Sequence, residues 1–200
     1  MLPTIFRRAE TRIVRGTKLI VGLGNPGAEH SRNRHNVGFS VLDRLADRHR
    51  LRFDRLEFHG RLARGTVGGQ PVILLKPLSY MNRSGSVVNS VVSRYKVSLK
   101  DLLIIHDDLD LPLGRIRIRA AGSSAGHHGV ASVIASLGTD VIARVRIGIG
   151  RPHGDTPEEY VLQDFSLEES ITMEATYEQA LAAVECFVGE GIDAAMNSYN

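Results

Sequence analysis

Three short stretches of this 200-residue chain hold residue types and spacings suited to chemistry. Gly22-Leu-Gly-Asn-Pro-Gly27 satisfies G-x-G-x-x-G after an apolar run, the pattern that seats a dinucleotide pyrophosphate on a helix N-terminus. Such a helix must begin inside the glycines. Here Pro26 and Gly27 make a turn, and Ala28-Glu-His-Ser-Arg-Asn-Arg34 has no apolar helical face, so a structural or substrate-binding turn fits better. Gly122-Ser-Ser-Ala-Gly126 satisfies G-x-S-x-G, the setting of a serine nucleophile on a sharp elbow. An elbow of that kind follows a strand buried on both faces, whereas Arg115-Ile-Arg-Ile-Arg119 has one charged face. In the order serine, acid, histidine the base would be His153, in a Gly/Pro-rich loop. The stretch therefore reads as a Gly/Ser turn that turns backbone N–H groups toward a phosphate or carbonyl, with Ser124 as a rival nucleophile. His106-Asp-Asp-Leu-Asp110 ends an apolar run in carboxylates. A divalent metal is one use for it. His127 and His128 are adjacent rather than four apart, however, and no second ligand cluster matches, so hydrogen bonding is the reading and no metal is expected. Carboxylates at strand ends of an α/β sheet lie where active sites form.

These groups need elements to position them. Lys18-Leu-Ile-Val-Gly-Leu23 begins the first strand, which leaves residues 1–17 as a disordered N-terminal extension. Phe39, Leu42, Leu45 and Ala46 recur at helical spacing between Asn36 and His49. Residues 58–67 and 71–76 flank Gly68-Gly69, a hairpin signal. A polar turn from Ser79 to Gly85 leads into Val87, Val88, Val91, Val92 and Tyr95, spaced as a helix. Asp101–Asp108 reads as a buried strand, and Arg115–Arg119 alternates into one apolar and one basic face. A helix over 130–137 and a strand over 144–150 follow. Residues 151–165 read as a loop with a short helix. Ser166 and Glu169 form a capping box that opens a long helix to about Val188. Strands and helices alternate with no repeat and no linker, which gives one α/β domain over 18–200.

Composition agrees. Hydrophobic residues make up 42% and charged residues 24%, which is globular rather than disordered. The single cysteine, Cys186, excludes an intrachain disulfide framework and fits a reducing, cytoplasmic setting. No apolar run approaches the roughly 20 residues of a membrane helix, so no membrane partner is expected. A net charge of +3 is too weak to name nucleic acid, but its distribution is uneven. One basic cluster is Arg7, Arg8, Arg12, Arg15 and Lys18, too poor in apolar residues for an amphipathic targeting helix. The other is Arg115, Arg117, Arg119, Arg144, Arg146 and Arg151.

Taken together, six segments in order resemble the bacterial-type peptidyl-tRNA hydrolase family along nearly the whole chain. They are Lys18-Leu-Ile-Val-Gly-Leu-Gly-Asn-Pro-Gly27, Arg34-His35-Asn36-Val-Gly38, Lys76-Pro77 with Tyr80-Met81-Asn82-Arg-Ser-Gly85, His106-Asp107-Asp108-Leu-Asp110-Leu-Pro112, Gly126-His127-His128-Gly129, and Arg144-Val-Arg-Ile-Gly-Ile-Gly150. The resemblance implies a monomeric, single-domain three-layer α/β sandwich, a mixed twisted sheet between helices, with no cofactor. It implies cleavage of the ester between a peptide and the 3′-ribose of tRNA. It casts His35 as the catalytic base and Asp107 as the group that orients it. Asn25, Met81, Asn82 and the residue at His128 become substrate-contacting positions, and Arg119 and Arg146 hold the 5′-phosphate end of the acceptor stem.

The chemistry suits these residue types. Water attacks an ester when a base of near-neutral pKa takes its proton, and histidine fits. A carboxylate on the other ring nitrogen fixes the tautomer and stabilises the imidazolium. Carboxamides donate N–H to the developing oxyanion. Ile118 and Ile147 take the face opposite Arg119 and Arg146, which leaves both guanidinium groups free for phosphate. His30, His49, His59 and His153 read as exposed or capping residues. The chain departs from the family at His128, where an asparagine is usual, and at Ala121-Gly-Ser-Ser-Ala125, where the family has a glycine run. Imidazole offers one donor and one acceptor in place of an amide's two donors and a carbonyl, so substrate alignment is what the change touches. A non-catalytic RNA-binding relative and a serine hydrolase using Ser124 are the competing readings. The retained His35, Asp107, Asn25 and Asn82 favour the enzyme.

Overall fold

The computed structural model describes residues 16–152 and 154–200; the expected extension falls mostly outside them, as does His153. Seven strands form one sheet in the order β2-β3-β4-β1-β5-β7-β6. The strands are β1 (Lys18–Gly22), β2 (Phe53–Glu57), β3 (Gly60–Val67), β4 (Gln70–Pro77), β5 (Leu102–Asp108), β6 (Ile116–Arg119) and β7 (Ala143–Gly148). The four central strands β4, β1, β5 and β7 run parallel, while β3 and β2 on one side and β6 on the other are antiparallel. The helices are α1 (Val37–Arg48), α2 (Ser84–Tyr95), α3 (His128–Leu137), α4 (Pro157–Val161), α5 (Leu167–Glu190) and α6 (Ile192–Tyr199).

Period-two alternation sorts the sheet residues into two cores. Ile20, Leu74, Leu103, Ile105, Val145 and Ile147 pack against α1, α5 and α6. Leu19, Val21, Ile73, Leu75, Leu102 and Ile104 pack against α2 and α3 through Val87, Val88, Val91, Val130 and Val133. This is the expected three-layer sandwich. The second core takes nothing from β6 or β7, so on those two strands the alternate positions 117, 119, 144 and 146 carry arginines. None of the described helices is long and apolar enough to cross a membrane.

Two elements went unforeseen. In β2 the sequence Phe-Asp-Arg-Leu-Glu57 is a half-polar edge strand with no buried alternate face. In α6 a new helix starts directly after Gly191 stops α5. The capping box of Ser166 and Glu169 is present as expected.

One close crossing positions the site. Gly22 at the end of β1 and Gly38 at the start of α1 meet so tightly that a Cβ on Gly22 would lie 2.3 Å from the Gly38 carbonyl oxygen. A Cβ on Gly38 would lie 2.5 Å from the Ile105 oxygen. The first turn of α1 is thereby pressed onto the carboxyl ends of β1 and β5, and the residues just before it stand over that edge.

Candidate active site

The carboxyl end of β5 carries Asp107, 3% exposed. The 3-10 turn Arg34–Asn36, which leads into α1, carries His35. Their contact spans 72 residues of sequence: His35 Nδ1 lies 2.8 and 2.9 Å from the two Asp107 oxygens. A second imidazole reaches the same carboxylate, with His127 Nε2 3.0 Å from Oδ1. His127 caps α3, and its Nδ1 accepts the N–H groups of Gly129 at 3.1 Å and Val130 at 3.3 Å. An Nδ1 that accepts carries no proton, so His127 donates to Asp107 through Nε2–H. His35 donates through Nδ1–H, and its Nε2 is left toward the cleft with no protein partner among the described residues.

Charges follow from these contacts. Burial raises the pKa of Asp107, but His35 and His127 outweigh it and hold the carboxylate well below its ordinary range. Burial lowers the pKa of His35, while the charge of Asp107 and its hydrogen bond raise it; the net direction is upward from 6.5. His106, one residue before Asp107, is buried and neutral, because burial pushes it far below its usual pKa. It donates Nδ1–H to the Asp107 carbonyl at 2.7 Å and stands edge-on to His127, ring centroids 4.8 Å apart.

A cleft of about 320 Å³ opens over His35, His127 and His128, walled by Ser124–Gly126 on one side and by Pro157, Glu158 and Val161 of α4 on the other. The α4 wall is tied to the turn that carries His35. The Arg34 N–H donates to the Gln163 carbonyl at 3.0 Å, its guanidinium meets both Glu169 oxygens, and it lies over the Tyr160 ring.

The remaining predicted positions surround this centre unevenly. Asn25 is clasped at its backbone: its N–H donates to Asn36 Oδ1 at 2.8 Å, and its carbonyl accepts Asn36 Nδ2–H at 2.9 Å. The Asn25 backbone is thus held beside the turn of His35. Met81 is 8% exposed and belongs to the core, with its sulfur against Gly129 at the start of α3. Asn82, next to it, is exposed, as is His128.

The expectation that Arg119 and Arg146 are both free is met only in part. Arg119 is exposed, whereas Arg146 gives its Nε to the buried Asp108. Arg144, on the same face, is a structural residue: it is 3% exposed and donates to the carbonyls of Ser123 and Gly122 at 2.7 and 2.6 Å, roofing it with the Gly/Ser turn. Ser124 lines the cleft, but its hydroxyl makes no hydrogen bond to any imidazole among the described residues. His35, Asp107 and His127 also bring ligand atoms within 4.8 Å of one another, a set able to close on a cation. A cation there would displace the hydrogens that join both rings to Asp107.

Sequence reasoning missed His127 and Asn36. The signal for His127 was its place just ahead of a helix in a run with glycines, where a side-chain acceptor is wanted. Asn36 gave none beyond its adjacency to His35.

The model of the family described as peptidyl-tRNA hydrolase matches residues 19–200. A peptidyl-tRNA hydrolase of Lachnospira eligens is 43% identical over 183 residues, covering 91% of this chain and 98% of that protein. One from Desulfitobacterium hafniense is 45% identical over 184 residues, covering 92% and 99%. The crystal structure of the peptidyl-tRNA hydrolase from Acinetobacter baumannii superposes with a TM-score of 0.86 at 37% identity, covering 92% of this chain and 95% of that one.

Proposed function

The chain belongs to the peptidyl-tRNA hydrolase family and hydrolyses the ester that joins a peptide to tRNA; from that premise we propose how its residues do so. Water enters the cleft beside His35 Nε2, which takes a proton from it as the oxygen attacks the ester carbonyl. The imidazolium that forms is held by Asp107, already ionised and already hydrogen-bonded to Nδ1–H. No proton moves to the carboxylate. The developing oxyanion and the peptide N–H and C=O groups meet the amides of Asn25 and Asn82 and the imidazole of His128, with Met81 packing Asn82 against the start of α3. The imidazolium then returns its proton to the departing 3′-oxygen of the ribose.

Arg119, with the terminal nitrogens of Arg146 held in place by Asp108, meets the 5′-phosphate end of the acceptor stem. All these groups come from one chain, and on this reading the enzyme works as a monomer without a cofactor, in the cytoplasm.

One observation carries the reading: the 2.8 Å contact of His35 Nδ1 with Asp107, which leaves Nε2 toward the cleft. The test is release of free tRNA from a purified peptidyl-tRNA. His35→Ala should abolish most of it, while Ser124→Ala should stay near the parent. A collapse in Ser124→Ala with a normal His35→Ala would transfer the chemistry to the serine.

A further inference from the structure

The sheet has two hairpins with the same two-residue connection, and they are built from opposite materials. Between β3 and β4, Val67 and Gln70 pair across Gly68 and Gly69, whose φ angles are +55° and +82°. Between β2 and β3, Glu57 and Gly60 pair across Phe58 and His59, whose φ angles are +53° and +58°. Both central residues of such a turn are left-handed, which is why Asn-Gly and Gly-Gly dominate there. A phenylalanine in that conformation is an outlier, and outliers of this kind gather at ligand sites. Packing does not explain it, since Phe58 is 43% exposed and His59 is exposed.

Location separates the two turns further. The Gly-Gly turn lies at the amino end of β4. The Phe-His turn lies at its carboxyl end, where Gly60 pairs with Pro77 and the Leu78 N–H donates to the His59 carbonyl at 2.8 Å. That is the edge of the sheet on which Asp107 and His35 stand. Residues 78–83 run from this turn toward His128 on the rim of the cleft: Tyr80 is 76% exposed, Asn82 is exposed, and Met81 rests on Gly129, the neighbour of His128. Leu56, 71% exposed, extends the apolar rim outward.

We infer that the Phe58–His59 turn is a ledge for the peptide moiety of the substrate, and that it favours apolar or aromatic side chains several residues before the ester. The inference rests on the reading that the ester is cleaved at His35. An ester joining RNA to peptide has two sides to place. The β6 and β7 flank offers exposed Arg119 to the polyanion, so the peptide leaves over the opposite flank, across β1 and β4. From β5 to β3 the path crosses three strand spacings, about 14–15 Å. Extended chain covers that in about four to five residues.

The test installs the favoured turn, Phe58→Asn with His59→Gly, in the full chain. Two substrates share one tRNA and one C-terminal residue: an N-acetylaminoacyl-tRNA, and a pentapeptidyl-tRNA with apolar residues at its first and second positions, the fifth and fourth counted from the ester. Relief of the strained backbone should raise Tm by about 2–4 °C. The ratio of KM for the long substrate to KM for the short one should rise about three- to tenfold, the loss expected for one aromatic contact. A fall in Tm would mean that the fold itself requires Phe58 and would overturn the inference. So would an unchanged KM ratio, or equal increases for both substrates together with a shallower salt dependence, which would make the ledge an RNA contact. Cleavage of both substrates by the parent protein is scored separately and tests the reading at His35 alone.

Discussion

Asp107 holds two imidazoles, and they end in opposite states. His127 spends both nitrogens on the fold, Nδ1 accepting two backbone N–H groups of α3 and Nε2–H donating to the carboxylate. His35 spends only Nδ1, because it sits on a 3-10 turn whose N–H groups do not point at its ring. One residue type on one carboxylate thus yields a structural brace and a ring with one nitrogen open to the cleft, which we propose as the base. What separates them is whether a helix N-terminus captures the second nitrogen.

The comparison breaks if His35 is dispensable. His35→Ala should lower kcat on peptidyl-tRNA by about 10²–10⁴-fold, the range for a lost general base, with an unchanged circular dichroism spectrum. Turnover equal to the parent would contradict it.

Asp107→Asn ranks next. It removes a charged hydrogen bond worth about 1.5–3 kcal/mol from the imidazolium-bearing state, which is about 10- to 150-fold in kcat. The brace is tested by a pair of variants at His127. His127→Asn keeps an N-cap acceptor but cannot repeat the bond to Asp107; His127→Ala loses both. The alanine variant should lose about 1 kcal/mol of stability relative to the asparagine variant in urea unfolding, while the two share the same modest loss of turnover. If both unfold alike, the capping role is wrong.

The smallest effect belongs to the phosphate surface. Arg119→Gln should raise KM more than it lowers kcat, and should flatten the salt slope of binding by about 0.7–0.9 for one phosphate contact. An unchanged slope would remove Arg119 from the interface.

Most of this arrangement could be read along the chain, because element boundaries carry local signals. The capping box at Ser166, the paired glycines of the β3–β4 hairpin, and the alternation of Arg115–Arg119 all reappear in the fold. The pairing of His35 with Asp107 was legible only through resemblance, since nothing local links residues 72 apart. Side-chain partners were the illegible part. Arg144 and Arg146 occupy equivalent alternate positions, yet the first is buried under the carbonyls of Gly122 and Ser123 and the second is shared with Asp108. Alternation reports which face a residue takes but not what covers that face. β2 was missed for a related reason: an edge strand with a half-polar pattern needs its neighbour β3 to exist.

The central claim is that His35 acts as a base whose proton affinity is set by Asp107. The direct measurement is the pH dependence of kcat/KM for the parent and for Asp107→Asn on one peptidyl-tRNA, which reports the pKa of the free enzyme's base. The base works unprotonated, so the rate falls as pH drops through its pKa. Burial alone would lower that pKa, and Asp107 raises it past 6.5. The parent should therefore show its acid limb above 6.5. In Asp107→Asn both raising influences are gone and burial remains, so the limb should move to lower pH. A limb at the same pH in both proteins, or one that survives in His35→Ala, would contradict the account.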